Sequence, residues 1–141
     1  NHGKPLHEQI KAKSKNRKVF FVYGGTETND RERIRAITES LDNTIIVASY
    51  GTFSTGINIR NLHNIIFSSP SKSPIRILQS IGRGLRLGDN KDGCILFDIC
   101  DDFSTKRKSN YMVKHGNERI KIYYKENFDI EMVNVTFTGN K

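Results

Sequence analysis

Four short apolar runs interrupt an otherwise polar chain, and each is β-branched or aromatic along nearly its whole length. They are VFFVY (Val19–Tyr23), TIIVA (Thr44–Ala48), NIIFS (Asn64–Ser68) and CILFDI (Cys94–Ile99). Continuous apolar runs of this length are typical of strands that are covered on both faces, as in a parallel sheet. The sequence therefore predicts four buried parallel strands.

Amphipathic patterns lie between the apolar runs and predict helices. Asn29 and Glu32 have the spacing of a capping box, so one helix is expected to begin at Asn29. Ser73-Pro74 suits the cap and the first position of a second helix. The buried face of this second helix is predicted from apolar residues at helical spacing, which are Ile75, Leu78, Ile81 and Leu85. A weaker helical pattern covers Leu6–Lys15.

The alternation of helical and strand patterns predicts the fold class. Residues 1–141 are expected to form one α/β domain with a doubly wound, mostly parallel sheet and helices on both faces. The chain opens with a helical pattern, and His2-Gly3-Lys4 has the character of a loop that follows a strand. We therefore expect a further N-terminal strand to precede Asn1.

Residues 109–138 are mostly polar with dispersed apolar residues, and their pattern predicts a helix-plus-strand extension of the same domain. The helix is expected over Tyr111–Glu126. The strand is expected from Phe128 to Phe137, with a possible bulge because the apolar alternation changes phase at Met132-Val133.

The composition adds a basic excess. Lys and Arg outnumber Asp and Glu by 23 to 15, which gives a net charge of +8. Two clusters stand out, and they are Lys11, Lys13, Lys15, Arg17 and Lys18 in one case and Lys106, Arg107 and Lys108 in the other. A polyanion is an obvious partner, although a merely solvated surface explains the charge equally well. No apolar run approaches the roughly 20 residues that cross a bilayer, so no membrane span is predicted.

Cys94 and Cys100 fall within one predicted strand. At about 3.3 Å per residue their separation would be about 20 Å, which is beyond the reach of a disulfide. They are therefore expected to be small buried hydrophobic residues in a reducing compartment, and their neighbours predict no metal site.

The strongest chemical signal is the segment from Gln79 to Arg86, which has the form Q-x-x-G-R-x-x-R. On a helix, Gln79, Arg83 and Arg86 project from one face. Gly82 would let a ligand or another backbone approach that face closely. Two neighbouring guanidinium groups repel unless an anion lies between them, and a phosphate suits their planar donors. The spacing alone supports an exposed basic face with structural ion pairs equally well.

Two further segments follow predicted strands and are rich in small and hydroxyl residues. One is Ala48–Ile59, with sequence ASYGTFSTGINI, and the other is Tyr23–Thr26, with sequence YGGT. Backbone N–H groups and hydroxyls at the carboxyl ends of parallel strands are well placed to bind anions. An ordinary strand-to-helix turn with capping hydroxyls explains either segment without a ligand.

Together these segments resemble the conserved motifs of superfamily 2 helicases. The block Thr44–Arg86 resembles motifs V and VI of that family, and Lys18–Ile34 resembles the segment before them. The residues of motifs V and VI are most similar to those of the DNA-translocating branch of the family. The resemblance implies the second, C-terminal RecA-like lobe of an ATP-dependent DNA helicase that unwinds, anneals or branch-migrates DNA in recombination and repair.

The resemblance also implies a role for each matching residue. Arg86 would be the arginine finger that reaches the γ-phosphate of ATP, with Arg83 beside it on the phosphates. Gln79 would order the nucleotide or the attacking water. Gly56 and Asn58 would contact the nucleotide, although many relatives have Asp at the position of Asn58. The residues expected to hold strand phosphates are Lys4, Gly25, Thr26 and Thr52.

The chain lacks the phosphate-binding pattern G-x-x-x-x-G-K-[ST] and the acidic box D-E-x-[DH]. ATP and Mg²⁺ are therefore expected to bind mainly to an N-terminal RecA-like lobe of the same chain, and this lobe alone should not hydrolyse ATP. Asp101-Asp102 is expected to form a turn or a cap. The implied partners are branched or duplex DNA and the N-terminal lobe, in a cytoplasmic monomer.

Three alternatives remain open from the residues. The chain could be a lobe of an RNA helicase, a stand-alone nucleic-acid-binding module, or a non-catalytic domain whose basic surface docks an acidic protein.

Overall fold

The computed structural model describes residues 2–56, 58–69, 71–86, 92–105 and 110–136, with the backbone alone at 54–56. Helices and strands alternate along these residues. In chain order the elements are α1 (Gly3–Lys13), β1 (Lys18–Val22), α2 (Thr28–Ser40), β2 (Thr44–Ala48), α3 (Tyr50–Gly56), β3 (Asn64–Phe67), α4 (Pro74–Gly84), β4 (Ile95–Asp98) and α5 (Tyr111–Lys125).

The four strands form two parallel ladders. β1 pairs with β2, and β3 pairs with β4. Every predicted apolar run therefore contains a strand, and the expected α/β class with parallel strands is confirmed. One difference from a single sheet is that no ladder joins β2 to β3 within the described ranges. The described strands therefore form two separate parallel ladders.

Helices cover both faces of the β1–β2 ladder. Successive side chains of a strand point to opposite faces, so Phe21 and Val22 face opposite ways. On one face, the His7 ring of α1 lies 5.6 Å from the ring of Phe21. On the other face, Val22 is fully buried and packs with Ile34 of α2 and with Ile59. This arrangement is the doubly wound layering that the sequence predicts.

The β3–β4 ladder is covered differently. Its inward side chains join α4 and α5 in a core cluster that consists of Ile65, Phe67, Ile77, Ile81 and Tyr123. The alternate residue Ile66 is 61% exposed, and Phe97 is also exposed. The prediction of strands buried on both faces was therefore wrong for this ladder within the described residues, because both faces carry apolar side chains but helices pack on one.

The buried face of α4 also differs from the predicted one. The structure buries Ile77, Ser80, Ile81 and Gly84, whereas Ile75 is 68% exposed. Leu85, the predicted last member of the buried face, is exposed as well. A prediction that counts apolar side chains overlooks positions where a small residue is needed for close approach. Ser80 meets that need because its hydroxyl donates to the Arg76 carbonyl at 2.8 Å inside its own helix.

Helix starts test the capping predictions. Ser73 is the N-cap of α4 with Pro74 at the first position, as expected, although the Ser73 side chain makes no capping hydrogen bond. α2 begins at Thr28, after Glu27 as N-cap, so the prediction that Asn29 is the cap was wrong by two residues. The predicted loop at His2-Gly3-Lys4 was also wrong, because α1 begins at Gly3 and already includes Lys4.

The C-terminal region confirms the predicted helix but not the predicted strand. Residues 128–136 form no strand, since no strand in the described part of the chain lies alongside them to accept their backbone hydrogen bonds. Phe137, the last residue of the predicted strand, lies outside the described residues. Phe128 and Ile130 pack against the β3–β4 core cluster instead. The apolar residues that follow are exposed, and they are Met132, Val133 and Val135.

Cys94 and Cys100 flank β4 and are both free thiols. Cys94 is half-buried but Cys100 is exposed, so the expectation of two buried cysteines was wrong for Cys100. Asp102 accepts a 2.8 Å hydrogen bond from the backbone N–H of Ser104, which is the expected turn. None of the helices in the described ranges is long and apolar enough to cross a bilayer.

Candidate functional site

A shallow cleft at the end of α4 gathers the residues of the Q-x-x-G-R-x-x-R segment. Gln79, Gly82, Arg83 and Arg86 line this cleft, whose volume is about 320 Å³. α4 ends at Gly84, so Arg86 lies in the bend beyond the helix and not on it. The three polar side chains nevertheless share one surface, as the spacing predicts.

The segment Ala48–Ile59, which is rich in glycine and hydroxyl residues, also reaches this cleft. A guanidinium N–H of Arg86 donates to the side-chain oxygen of Asn58. Asn58 follows α3, two residues after Gly56 ends that helix. Because α3 leads away from β2 and α4 leads away from β3, this hydrogen bond joins two strand-to-helix units. One segment singled out in the sequence therefore lines the cleft, and Asn58 of a second segment holds Arg86 in it.

The cleft is electrostatically suited to an anion. Partial burial lowers the pKa of Arg83, and the positive charge of Arg86 lowers it further. Arginine stays charged in spite of such shifts, so the two guanidinium groups repel each other. An anion bound between them removes that repulsion, and their N–H groups match the oxygens of a phosphate. The chemistry of the cleft therefore fits a phosphate group.

The loop after β1 is held rigidly by hydrogen bonds. The backbone N–H of Tyr23 donates to the Thr26 hydroxyl at 3.0 Å, and the N–H of Thr26 donates to the Tyr23 carbonyl at 3.0 Å. Arg31 clamps the turn, because its guanidinium donates to the carbonyls of Thr26 at 2.8 Å and of Gly24 at 3.1 Å. Arg31 was not singled out from the sequence, since nothing in an exposed helical pattern marks one arginine as a clamp.

Gly25 lies against the exposed ring of Tyr23. A Cβ atom at Gly25 would lie 2.7 Å from Cε2 and 3.2 Å from Cζ of that ring. The absence of a side chain at Gly25 therefore leaves room for the Tyr23 ring to pack against the loop after β1. The ring of Tyr23 also stacks on the ring of Phe21, and their centroids are 5.4 Å apart.

Thr52 and Lys4 lie toward the same end of the β1–β2 ladder. The N–H of Ser49, just after β2, donates to the carbonyl of Val22 at 3.3 Å, which places the ends of β1 and β2 together. Thr52 is buried in the first turn of α3, and its hydroxyl is 2.8 Å from that of Ser49, which is the more exposed of the two. Lys4 is exposed in the first turn of α1, which runs back along β1.

A family comparison decides what this arrangement belongs to. Residues 3–88 match the model of the helicase conserved C-terminal domain. The chain belongs to that family. This range includes the residues that line the cleft, Asn58 and the loop after β1.

Two known proteins are similar to this helicase C-terminal domain. The ATP-dependent DNA helicase uvsW of Enterobacteria phage T4 is 38% identical over 145 residues, which cover 96% of this chain. The C-terminal part of the Fun30 ATPase domain is similar in structure, with a TM-score of 0.55 and 19% identity over 85% of this chain. The second likeness shows the fold, which is that of the RecA-like C-terminal lobe. The chain spans 28% of the length of the phage helicase and 44% of the Fun30 chain.

A buried ion pair that was not predicted from the sequence fixes α5 to the helicase domain. Arg119 is 1% exposed and forms two 2.7 Å hydrogen bonds with the carboxylate of Asp98 at the end of β4. A third bond joins Arg119 to the carbonyl of Ser71, which precedes α4, at 3.1 Å. Tyr123 donates to the same carboxylate at 2.8 Å. No periodicity or motif predicts a buried arginine inside a polar helical pattern.

The charges of this network act on one another. Burial lowers the pKa of Arg119, but the hydrogen bonds and charge of Asp98 outweigh burial and the net pKa is raised. Burial and then the carboxylate of Asp98 raise the pKa of Tyr123. Burial raises the pKa of Tyr50, whose hydroxyl donates to the Ser69 carbonyl, to about 12. All of these groups therefore hold one protonation state near neutral pH and act as structural links.

Proposed function

We propose that this chain is the C-terminal motor lobe of an ATP-dependent DNA helicase, which remodels duplex or branched DNA in recombination and repair. Family membership supports the helicase assignment, and the 38% identical relative is named as a DNA helicase, which favours DNA over RNA. In this proposal the lobe supplies the arginine finger and part of the DNA grip. An N-terminal lobe of the same protein binds ATP with Mg²⁺.

The cleft of Gln79, Arg83 and Arg86, tied to Asn58, is the observation that supports the proposal most strongly. It presents two like charges side by side on the surface of the domain. The chain itself carries no phosphate-binding loop pattern, so the anion that fits the cleft must be presented from outside it. An arginine that reaches a nucleotide held by another lobe has this arrangement.

The residues of the lobe then divide the work. ATP supplies the γ-phosphoryl group whose transfer to water releases the energy of the cycle. Arg86 stabilises the charge that develops on that group, Arg83 binds beside it, and the Gln79 amide orients the attacking water. Asn58 accepts from Arg86 and holds its guanidinium in position. Closure of the two lobes in the ATP state and opening after hydrolysis move the lobe along DNA.

The proposed DNA grip lies at the carboxyl end of the β1–β2 ladder. Gly25 and Thr26 form the clamped turn there, and Lys4 and the first turn of α3, which contains Thr52, lie toward it. Backbone N–H groups, a hydroxyl and an ammonium bind phosphates without reading bases. The Thr52 side chain itself is buried, so in this proposal it supports the grip by holding Ser49.

Arg86→Ala in the full-length protein tests the proposal. Loss of an arginine finger should lower the rate of ATP hydrolysis by about 10³-fold or more. The dissociation constant for DNA should change little, because Arg86 is not one of the residues of the proposed DNA grip. Arg76→Ala is the matched control, since Arg76 is an exposed arginine in the first turn of the same helix. Near-normal hydrolysis by Arg86→Ala, or an equal loss in Arg76→Ala, would contradict the proposal.

A further inference from the structure

A second basic surface lies on the turn between α1 and β1, far from the arginines of the cleft in sequence. We define this basic turn as the five exposed cations Lys11, Lys13, Lys15, Arg17 and Lys18. Five positive charges within eight residues form the densest basic cluster among the described residues. The other cluster in the sequence, Lys106–Lys108, lies outside the described residues.

The backbone of the basic turn is folded tightly. The N–H of Ser14 donates to the Ile10 carbonyl at 2.9 Å, which closes the last turn of α1. The N–H of Arg17 then donates to the Ser14 carbonyl at 3.3 Å. α1 itself is fixed on β1 by His7, whose ring nitrogen lies 3.4 Å from the Val19 carbonyl. The charges therefore project from a defined surface, which reduces the entropy that a ligand must remove on binding.

The charges of the basic turn are not balanced by the domain. Among the residues that the structure describes, the ion pairs involve His7, Arg35, Arg119 and Lys121, and none involves the basic turn. Cations in the last turn of a helix interact favourably with the helix dipole, which explains Lys11 and Lys13. The dipole does not explain the three cations that follow the helix, so these favour an external anion.

The basic turn lies at the opposite end of β1 from the proposed DNA grip. Lys18 begins β1 and pairs with Thr44 at the start of β2, whereas Gly25 and Thr26 follow the end of β1. Five residues at about 3.3 Å each separate the two surfaces by about 16 Å along the strand. The two surfaces are therefore separate, and one phosphate cannot contact both of them.

We propose that the basic turn is a second DNA-backbone site, which binds a duplex arm while the grip at the other end of β1 holds the translocated strand. This inference rests on the proposed DNA helicase function. Residues 11–18 contain no aromatic side chain that could stack on an unpaired base. The neighbouring ring of Phe21 is half-buried between His7 and Tyr23. A ligand must therefore be recognised by its phosphates, and duplex DNA carries twice the charge of a single strand per unit length.

The test compares two triple variants of the full-length protein that remove equal charge. Lys11→Gln, Lys13→Gln and Lys15→Gln change the basic turn. The control replaces three exposed lysines of α5, which are Lys114, Lys121 and Lys125. DNA binding is measured over a range of salt concentrations with a single strand and with a fork that joins this strand to a duplex arm.

The basic-turn variant should weaken binding to the fork by roughly tenfold or more. The slope of log K against log salt should fall by about 0.9 for each lysine that contacts a duplex phosphate. Binding to the single strand should change much less, and the control should bind both substrates as the wild type does. An unchanged fork slope, or an equal loss in the control, would overturn the inference.

Two other outcomes are distinguishable. A variant with normal fork binding but slower ATP hydrolysis would show that the basic turn acts on the motor and not on a duplex arm, which also overturns the inference. A wild-type protein whose ATP hydrolysis does not respond to any DNA would instead contradict the proposed function itself.

Discussion

Gly82 and Gly84 lie two residues apart near the end of α4, yet the space around them differs completely. A Cβ atom at Gly84 would lie 2.6 Å from the sulfur of Cys94 and 2.7 Å from Cδ1 of Ile65. A Cβ atom at Gly82 would meet no atom within 4 Å. Gly84 therefore sets the distance between α4 and the β3–β4 ladder, whereas Gly82 borders the open cleft.

Gly84→Ala should destabilise the chain by about 1–3 kcal/mol, because the added methyl group forces Ile65 and Cys94 to move in a packed core. Gly82→Ala should instead stabilise it by about 0.5–1 kcal/mol, since alanine favours a helix and nothing obstructs its methyl group. Urea unfolding of the two variants measures both effects. Equal destabilisation would show that Gly82 is also packed.

Gly82→Ala should at the same time lower ATP hydrolysis by the full-length protein. The added methyl group projects beside Arg83 and Arg86, where a nucleotide would have to approach. A variant that is more stable and yet less active would separate the two roles. The sequence suggested that Gly82 permits close approach, and no atom of this chain makes that approach within the described residues. The structure assigns close packing to Gly84, which the apolar pattern did not mark.

At the scale of elements, the buried ion pair between Arg119 and Asp98 fixes α5. Arg119→Met should destabilise the chain by about 3–5 kcal/mol, because it leaves the Asp98 carboxylate without its cation in a partly buried position. Arg35→Met is the matched control, since Arg35 pairs with Glu32 and Glu39 on the surface of α2. The control should unfold at nearly the wild-type urea concentration. Similar midpoints for both variants would show that α5 does not depend on the pair.

His115 of α5 predicts a pH dependence of stability. Its Nδ1 atom is buried without a hydrogen-bond partner, and its ring packs on that of Tyr111 with centroids 3.8 Å apart. Burial lowers the pKa of His115, and the positive charges of Lys72 and Arg119 lower it further, while Glu118 opposes them. The unfolded chain therefore takes up a proton first as the pH falls below about 6.5. Stability should be full above that pH and should decline as the pH falls toward the folded pKa.

Urea midpoints at about pH 7.5 and about pH 5.5 measure this loss. His115→Phe keeps a ring against Tyr111 but removes the titration, so it should reduce the difference between the two midpoints. His63→Phe is the control, because His63 is exposed and should leave the difference unchanged. A His115→Phe protein with the wild-type pH dependence would contradict the assignment.

The strands could be predicted because burial on parallel ladders leaves a continuous apolar run, as in Val19–Tyr23. The final strand could not, because the alternation after Phe128 records contact with the core but says nothing about a partner strand. The Arg119–Asp98 pair was also invisible, since its two members lie far apart in the chain and each looks like an ordinary surface charge. Tertiary contacts of this kind follow only from the fold.

At the scale of the whole molecule, the sequence predicted that the polar side chains of the motif share one surface. It did not predict which other segment of the chain contacts them. The spacing placed Gln79 and Arg83 on one surface because a helix fixes that relation locally, whereas Arg86 reaches the same surface from the bend after the helix. The hydrogen bond from Arg86 to Asn58 depends on how α3 packs against α4, which no local pattern contains.

Affinity for a transition-state analogue separates an arginine finger from an arginine that merely binds nucleotide. ADP with aluminium fluoride imitates the phosphoryl group in the transition state of its transfer, whereas ADP alone lacks that group. A catalytic site binds the transition-state analogue far more tightly than it binds ADP. In the full-length protein, Arg86→Ala should weaken binding of the analogue by about 100-fold or more and of ADP by less than about threefold. Equal affinity changes for both ligands, or no change for either, would contradict the role of Arg86 at the γ-phosphate.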